Sequence, residues 1–295
     1  MSQHSLQPDA ALDWAFALLT RQVSGHGAPG TGWEREREWS RVRRLDLPDG
    51  GRVWLKELPP GLRAEVSIVA RLGHLNDSSA LTALATDAER GWLLLPDGGP
   101  TLQDQAGEGG GETPPTVWSA ALSEYGRLQR AVEPLVPALL ADGVPDLRTA
   151  RLPDLARELV SRHAPELAGL LPRWREDAAV LDATGIPPSL HHDDLHPGNV
   201  FARGNVPFDW GDASVAHPWL SLAVAVQGPA AAGAQASYVR GWHLPDGVDA
   251  ARAVGAARRL GCVARAATWA RVEATVGLPE RFADAVPEWL ERGAD

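Results

Sequence analysis

Apolar residues change their spacing several times along the chain, and each change marks an element. Leu12, Ala15, Phe16 and Leu19 share one face of a 3.6-residue repeat and Asp9 stands in a capping position, so the spacing predicts a helix over 9–24. A Gly-rich break follows. Residues 38–58 read as two strands around the turn Pro48-Asp49-Gly50-Gly51. Pro59 and Pro60 end the second strand, and a helical stripe of Leu62, Val66, Val69 and Leu72 follows over 61–73. A second hairpin is expected at 82–95, turning at Asp87–Gly91. Residues 96–100 (Pro-Asp-Gly-Gly-Pro) read as a hinge and 106–115 as a mobile surface loop. Beyond them the pattern is mostly helical. Trp118, Ala121, Leu122, Tyr125, Leu128 and Val132 keep helical spacing, as do Cys262, Ala266, Trp269, Val272 and Val276 in a long helix from Asp249 to Gly277. Strand-like segments return only at 188–211. No internal repeat stands out.

Composition narrows the class. A chain of 295 residues with 44% hydrophobic and 22% charged residues is ordinary for a globular protein with one large domain or two lobes. A net charge of −10 argues against a nucleic-acid partner. No apolar run reaches the roughly 18–20 residues that span a bilayer, so no membrane association is expected. The N-terminus lacks a basic stretch followed by an apolar core. A single cysteine, Cys262, permits no intrachain disulfide and fits a reducing compartment, so the cytoplasm is the expected location. Oligomeric state is not readable.

One lysine, Lys56, stands among 27 arginines, and it lies on the strand Val53-Trp54-Leu55-Lys56. A compact ammonium is not interchangeable with a guanidinium where geometry matters. Glu65 falls on the apolar stripe of the following helix, where an unpaired carboxylate is costly. An ion pair between Lys56 and Glu65 resolves both oddities; the plainer alternative is that Glu65 turns out to solvent.

The densest chemistry lies between Leu190 and Gly211. His192, Asp194 and Asn199 form H-x-D-x4-N, and Asp209-Trp210-Gly211 follows ten residues after Asn199. A strand through Asp194, a loop at Pro197-Gly198 and a short ribbon turning at Gly204-Asn205 are expected to bring Asp194, Asn199 and Asp209 to one end. That set suits phosphoryl transfer from a nucleotide to a hydroxyl. One carboxylate meets the hydroxyl, while an amide and a second carboxylate hold magnesium through oxygen. Asp194 is then the catalytic residue, Asn199 and Asp209 the metal ligands, and Lys56 with Glu65 the group that meets the nucleotide phosphates. His192 is expected to brace the loop and Gly211 to relieve the backbone after Asp209. A zinc hydrolase fits poorly, because neither H-x-H-x-D-H nor H-E-x-x-H occurs.

The run His191-His192-Asp193-Asp194-Leu195-His196-Pro197-Gly198-Asn199 with Asp209-Trp210-Gly211 resembles the aminoglycoside phosphotransferase family of the protein-kinase-like fold. The resemblance covers most of 35–225. It implies an α+β, two-lobed protein-kinase-like fold with a small β-rich N-lobe and a larger, mostly helical C-lobe. The N-lobe is expected over residues 1–97, with an N-terminal helix, a five-stranded-type sheet and one helix. Residues 98–295 are expected to form the C-lobe, with the catalytic loop and acceptor site. The implied cofactors are ATP, or GTP, and Mg2+, and the implied partner is a small-molecule hydroxyl acceptor. Departures exist. Asp193 stands where the family usually has Gly, which predicts repulsion beside the metal site. His217 and Ser221 stand where the family often has Asp. No Gly-rich phosphate loop precedes Lys56; Trp33–Glu38 there is highly charged. These departures leave a catalytically weak or inactive kinase-like nucleotide-binding protein as the alternative.

Overall fold

The computed structural model describes residues 9–22, 29–75, 77–108, 112–227 and 231–295. The segment that opens it is α1 (Ala10–Gln22), capped by Asp9, whose Oδ1 accepts from Leu12 N at 3.1 Å. The last two residues of the helix expected over 9–24 lie outside the described residues. Five antiparallel strands follow in two groups: β1 (Gly30–Arg37), β2 (Ser40–Asp46) and β3 (Arg52–Glu57), then β4 (Ala85–Asp87) and β5 (Trp92–Pro96). They form one sheet in the order β1-β2-β3-β5-β4. Both expected hairpins are present. The strand that sequence pattern did not single out is β1, whose Glu and Arg residues leave every position exposed.

Alternation sets the two faces of the sheet. Leu45, Val53, Leu55 and Leu94 point to one side and pack under Ala11, Ala15 and Leu19 of α1. Arg43 is buried on that side too, pairing with Asp9 and Glu57 and so tying helix to sheet. Val42, Trp54, Lys56 and Leu95 take the opposite parity and face a cleft. Between β3 and β4, α2 (Ala64–Gly73) buries Val66, Ile68, Val69 and Leu72.

The helical part begins with α3 (Leu102–Glu108). That helix corrects part of the expected loop at 106–115, of which residues 109–111 lie outside the described residues. The Thr101 hydroxyl accepts from Asp104 N at 3.0 Å while Asp104 accepts from Thr101 N at 2.9 Å, a reciprocal cap that starts a helix without a strong apolar stripe. Then come α4 (Pro115–Val132), α5 (Val136–Ala141), β6 (Asp146–Leu147), α6 (Leu152–His163) and α7 (Leu171–Asp182). The strands β7 (Ser189–His191), β8 (Val200–Phe201), β9 (Val206–Pro207) and β10 (Ser214–Ala216) carry the motif region. The chain ends in α8 (Leu222–Ala225), α9 (Ala231–Arg240), α10 (Ala250–Val276) and α11 (Ala285–Arg292). Asp249 caps α10, accepting from Ala251 N and Arg252 N. The last helix, α11, buries Val286 and Leu290 in the main core. No helix among the described residues is long and apolar enough to cross a membrane.

Candidate active site

The strand β7 pairs with β10, which in turn pairs with β6, and this small sheet anchors the catalytic segment. Below it lies a buried polar network. Tyr125 Oη accepts from His192 N at 3.0 Å and lies 2.8 Å from Ser221 Oγ, and Gln129 Nε2 donates to Leu190 O at 2.9 Å. These bonds satisfy the backbone where the chain leaves the strand and turns toward the cleft.

The turn itself passes through Asp193, whose φ is +65°. An L-residue there is disfavoured relative to glycine, which explains the family's usual Gly at this position. The Asp193 carboxylate does not crowd the expected metal ligands, so that expectation is corrected. It turns inward, is 1% exposed, and lies 2.9 Å from His191 Nε2. Burial opposes its ionisation, but the His191 hydrogen bond together with the positive charge of Arg265 and a hydrogen bond from Thr268 outweighs burial and holds the carboxyl below its usual range. His191 Nδ1 lies 2.9 Å from Ser221 Oγ. Ser221 is thus joined to the Asp193 carboxylate through the His191 ring.

Asp194 points the other way, into the cleft. Its Oδ1 accepts from Arg265 Nη2 at 3.0 Å and its Oδ2 from Asn199 Nδ2 at 3.3 Å. Burial raises its pKa and Arg265 opposes that rise. Asn199 Nδ2 also donates to Asp194 O at 2.9 Å, so the amide nitrogen faces the catalytic loop and the amide oxygen remains for a ligand. Asn199 leads into the ribbon β8–β9, closed by Gly204 (φ +81°) and Asn205 (φ +52°), and Phe208 N donates to Asn199 O at 3.0 Å. The ribbon thus brings the backbone of Asn199 alongside Phe208, the residue before Asp209.

Asp209 has φ +61° and ψ +62°. The strained backbone sits at Asp209 itself, so Gly211 does not relieve it; Gly211 serves close approach instead. A Cβ there would lie 3.3 Å from Glu65 Oε2, tighter than carbon and oxygen prefer. His192 Nε2 donates to Phe208 O at 2.8 Å and burial pushes its pKa down to about 4, so a neutral ring braces the residue before Asp209.

Across the cleft, Lys56 Nζ lies 2.6 Å from Glu65 Oε2 and 2.5 Å from Asp209 Oδ1. Burial works against the ammonium, but the two carboxylates outweigh it and hold it charged above the ordinary lysine range. The expected Lys56–Glu65 pair is present, and Asp209 joins it. Asn199 and Asp209 offer two hard oxygen donors. Magnesium keeps several waters and phosphate oxygens in such sites, so two protein oxygens fit it. Among the described residues no cluster of three or more His, Cys, Asp or Glu side chains is placed to hold a metal.

Two residues were missed by sequence reasoning. Arg265, on α10, is 8% exposed by side chain and also meets Asp212 Oδ2 at 2.5 Å. It lies on the same stripe as Cys262 and Trp269, so a charge stranded on an apolar helix face was the available signal, as it was for Glu65. Trp39 occupies the β1–β2 turn, which carries no Gly-rich phosphate loop. Its ring meets Trp269 at 6.0 Å and Phe282 at 5.8 Å, docking the hairpin tip on the helical part.

Two cavities of about 280 Å3 each adjoin at Lys56 and Asp209. One lies between the sheet, the hinge and the stacked rings of Phe201 and Phe208 (4.0 Å apart). The other lies between the β1–β2 tip, Asp194 and α10.

Among solved structures, a macrolide 2′-phosphotransferase of Brachybacterium faecium aligns with 22% identity over 91% of this chain and 99% of its own, at a TM-score of 0.55. An ethanolamine kinase of Plasmodium vivax aligns with 8% identity over 100% of this chain and 92% of its own, at 0.64. An aminoglycoside 2′-phosphotransferase-IIIa, solved with GDP, aligns with 14% identity over 96% and 97%, at 0.57. At these identities the likeness establishes the two-lobed, protein-kinase-like fold. No curated protein matches the chain. The family model described as APH, phosphotransferase enzyme family, matches residues 36–256, about three quarters of the sequence, and the chain belongs to that family.

Proposed function

We propose that this phosphotransferase moves the terminal phosphoryl group of ATP, or GTP, onto a hydroxyl of a small molecule, acting in the cytoplasm. The observation that carries the reading is the bridge from Lys56 to both Glu65 and Asp209, opposite Asp194 across one cleft. The reading divides the chain into lobes at 1–97 and 98–295, with nucleotide between them. Lys56, held by Glu65, meets the phosphates. Asn199 and Asp209 hold Mg2+, which neutralises charge on those phosphates when bound. Asp194 orients the acceptor hydroxyl and takes its proton. The acceptor oxygen forms the new bond to the terminal phosphorus, and the bond to the nucleotide's bridging oxygen breaks. Arg265 touches Asp194 and Asp212 and acts as a positioning residue. The solved relatives act on macrolides, ethanolamine and aminoglycosides by their names, which supports a small-molecule acceptor.

A second reading, a catalytically weak or inactive nucleotide-binding protein, draws on two observations. Arg265 already engages an Asp194 oxygen, and Trp39 replaces a Gly-rich loop. Mg-ATP and Mg-GTP hydrolysis or transfer, compared between the wild type and Asp194→Asn, separates the two. Mg2+-dependent binding with no turnover supports the second reading, and Asp194-dependent turnover supports the first.

A further inference from the structure

The cavity beside Asp194 has a wall of three half-buried aromatic rings, Trp39, Trp269 and Phe282, with Trp269 and Phe282 stacked at 4.7 Å. Each ring already carries a guanidinium of this chain. Arg37 Cζ lies 5.5 Å from the Trp39 ring centre, Arg265 Cζ 5.4 Å from that of Trp269, and Arg281 Cζ 4.9 Å from that of Phe282. The attraction an aromatic face offers a cation is therefore in use. The carboxylates at the floor are in use as well, since Arg265 bridges Asp194 and Asp212. An ammonium on the acceptor would have to displace a buried guanidinium or lie against Arg37. Arg37 has no carboxylate partner among the described residues and lines the same cavity.

Size gives a second constraint. A cavity of about 280 Å3 lies just under the roughly 300–1,000 Å3 of pockets that take drug-sized ligands. Apolar walls from Leu58, Leu62 and Val272 complete it.

From this geometry we infer that the acceptor is a small, ring-bearing alcohol without positive charge, and that an anionic substituent is favoured by Arg37. The inference rests on the proposed phosphotransfer reading, since it takes this cavity as the place where the hydroxyl meets Asp194. It separates this chain from any enzyme whose acceptor is an amino sugar or amino alcohol. The ring stacks among Trp39, Trp269 and Phe282, its hydroxyl reaches Asp194, and a carboxylate on the far side meets Arg37.

Three probes of one shape test it: benzyl alcohol, 4-(hydroxymethyl)benzoate and 4-(aminomethyl)benzyl alcohol, with an aminoglycoside as a fourth. Binding to the full chain loaded with Mg2+ and a non-hydrolysable nucleotide is measured by calorimetry, and transfer is then measured with Mg-ATP. The expected order is benzoate, then neutral alcohol, with the aminomethyl compound and the aminoglycoside at least tenfold weaker. Arg37→Gln, an exposed change, should bring the benzoate and the neutral alcohol within about twofold of each other. Trp269→Leu should weaken the benzoate and the neutral alcohol together. Equal or tighter binding of either cationic probe overturns the inference, as does failure of every ring alcohol to bind while Mg-nucleotide binds. Absence of Mg-nucleotide binding altogether contradicts the phosphotransfer reading instead.

Discussion

Arg265 Nη2 lies 3.0 Å from Asp194 Oδ1, although the two residues are 71 positions apart, and Nη1 of the same guanidinium lies 2.5 Å from Asp212 Oδ2. One buried fork thus joins the long helix α10 to both ends of the motif region, and it fixes one oxygen of the carboxylate that must meet the acceptor.

Removing that fork leaves Asp194 and Asp212, each about a third exposed, without their partner. Arg265→Met is expected to cost roughly 1–3 kcal/mol of stability. Arg265→Lys should recover only part, because an ammonium lacks the planar fork that bridges two carboxylates. Urea denaturation gives the stability, and the turnover number gives the loss of Asp194 positioning. A stability change under about 1 kcal/mol in Arg265→Met would remove the guanidinium from this role.

Lys56 and Glu65 should behave as one unit toward nucleotide. Glu65→Gln keeps the shape but removes the charge that holds the ammonium, and about a tenfold loss of Mg-nucleotide affinity is expected, near 1.4 kcal/mol. In a double-mutant cycle with Lys56→Met, the Glu65→Gln effect should nearly vanish. Additive losses would show that Glu65 acts apart from Lys56.

Asp193 carries two effects that a pair of substitutions separates. Asp193→Ala and Asp193→Gly both remove the His191 partner, but only glycine is at ease at φ +65°. The glycine variant should be the more stable of the two by about 1 kcal/mol. Equal denaturation midpoints would mean that the backbone relaxes away from this conformation.

Legibility followed the range of the interactions. Lys56 and Glu65 were readable because they lie nine residues apart, on adjoining elements, and each broke a local rule. Asp194, Asn199 and Asp209 were readable because their loop and ribbon are continuous in sequence. Strand β1 was not, since Glu34, Arg35, Glu36 and Arg37 leave it no apolar face. The wall of Trp39, Trp269 and Phe282 was not, because it joins a hairpin tip to the far end of the chain and no periodicity reports such a meeting. Asp193 looked like a neighbour of the metal site because sequence adjacency hides the positive φ that sends its side chain inward.

Acid should destabilise the fold through His217, which caps the turn at Pro218–Ser221. Its Nδ1 accepts from Trp219 N at 3.2 Å, and its Nε2 lies 3.1 Å from Thr184 Oγ1, whose own proton goes to Leu181 O. A second ring proton would face the Trp219 N–H. Burial accordingly pushes the folded-state pKa down to about 3, against 6.5 for an ordinary histidine. Between those values the unfolded chain binds the extra proton and the folded chain does not. Stability is therefore full above pH 6.5 and falls as pH drops toward 3, by up to about 1.4 kcal/mol per pH unit from this residue. Asn caps well and does not titrate, so His217→Asn should reduce the slope of stability against pH between 6.5 and 4. An unchanged slope would assign the acid sensitivity elsewhere, His192 being the next candidate.

Phosphoryl transfer from γ-labelled Mg-ATP and Mg-GTP to 4-(hydroxymethyl)benzoate and neutral ring alcohols, run side by side for the wild type and Asp194→Asn, addresses the central claim. Label should reach the acceptor hydroxyl only with Mg2+ present. Asp194→Asn should slow transfer by about 10²–10⁴-fold while nucleotide affinity holds. Equal transfer by the two proteins, or transfer that survives removal of Mg2+, would contradict the roles given to Asp194, Asn199 and Asp209.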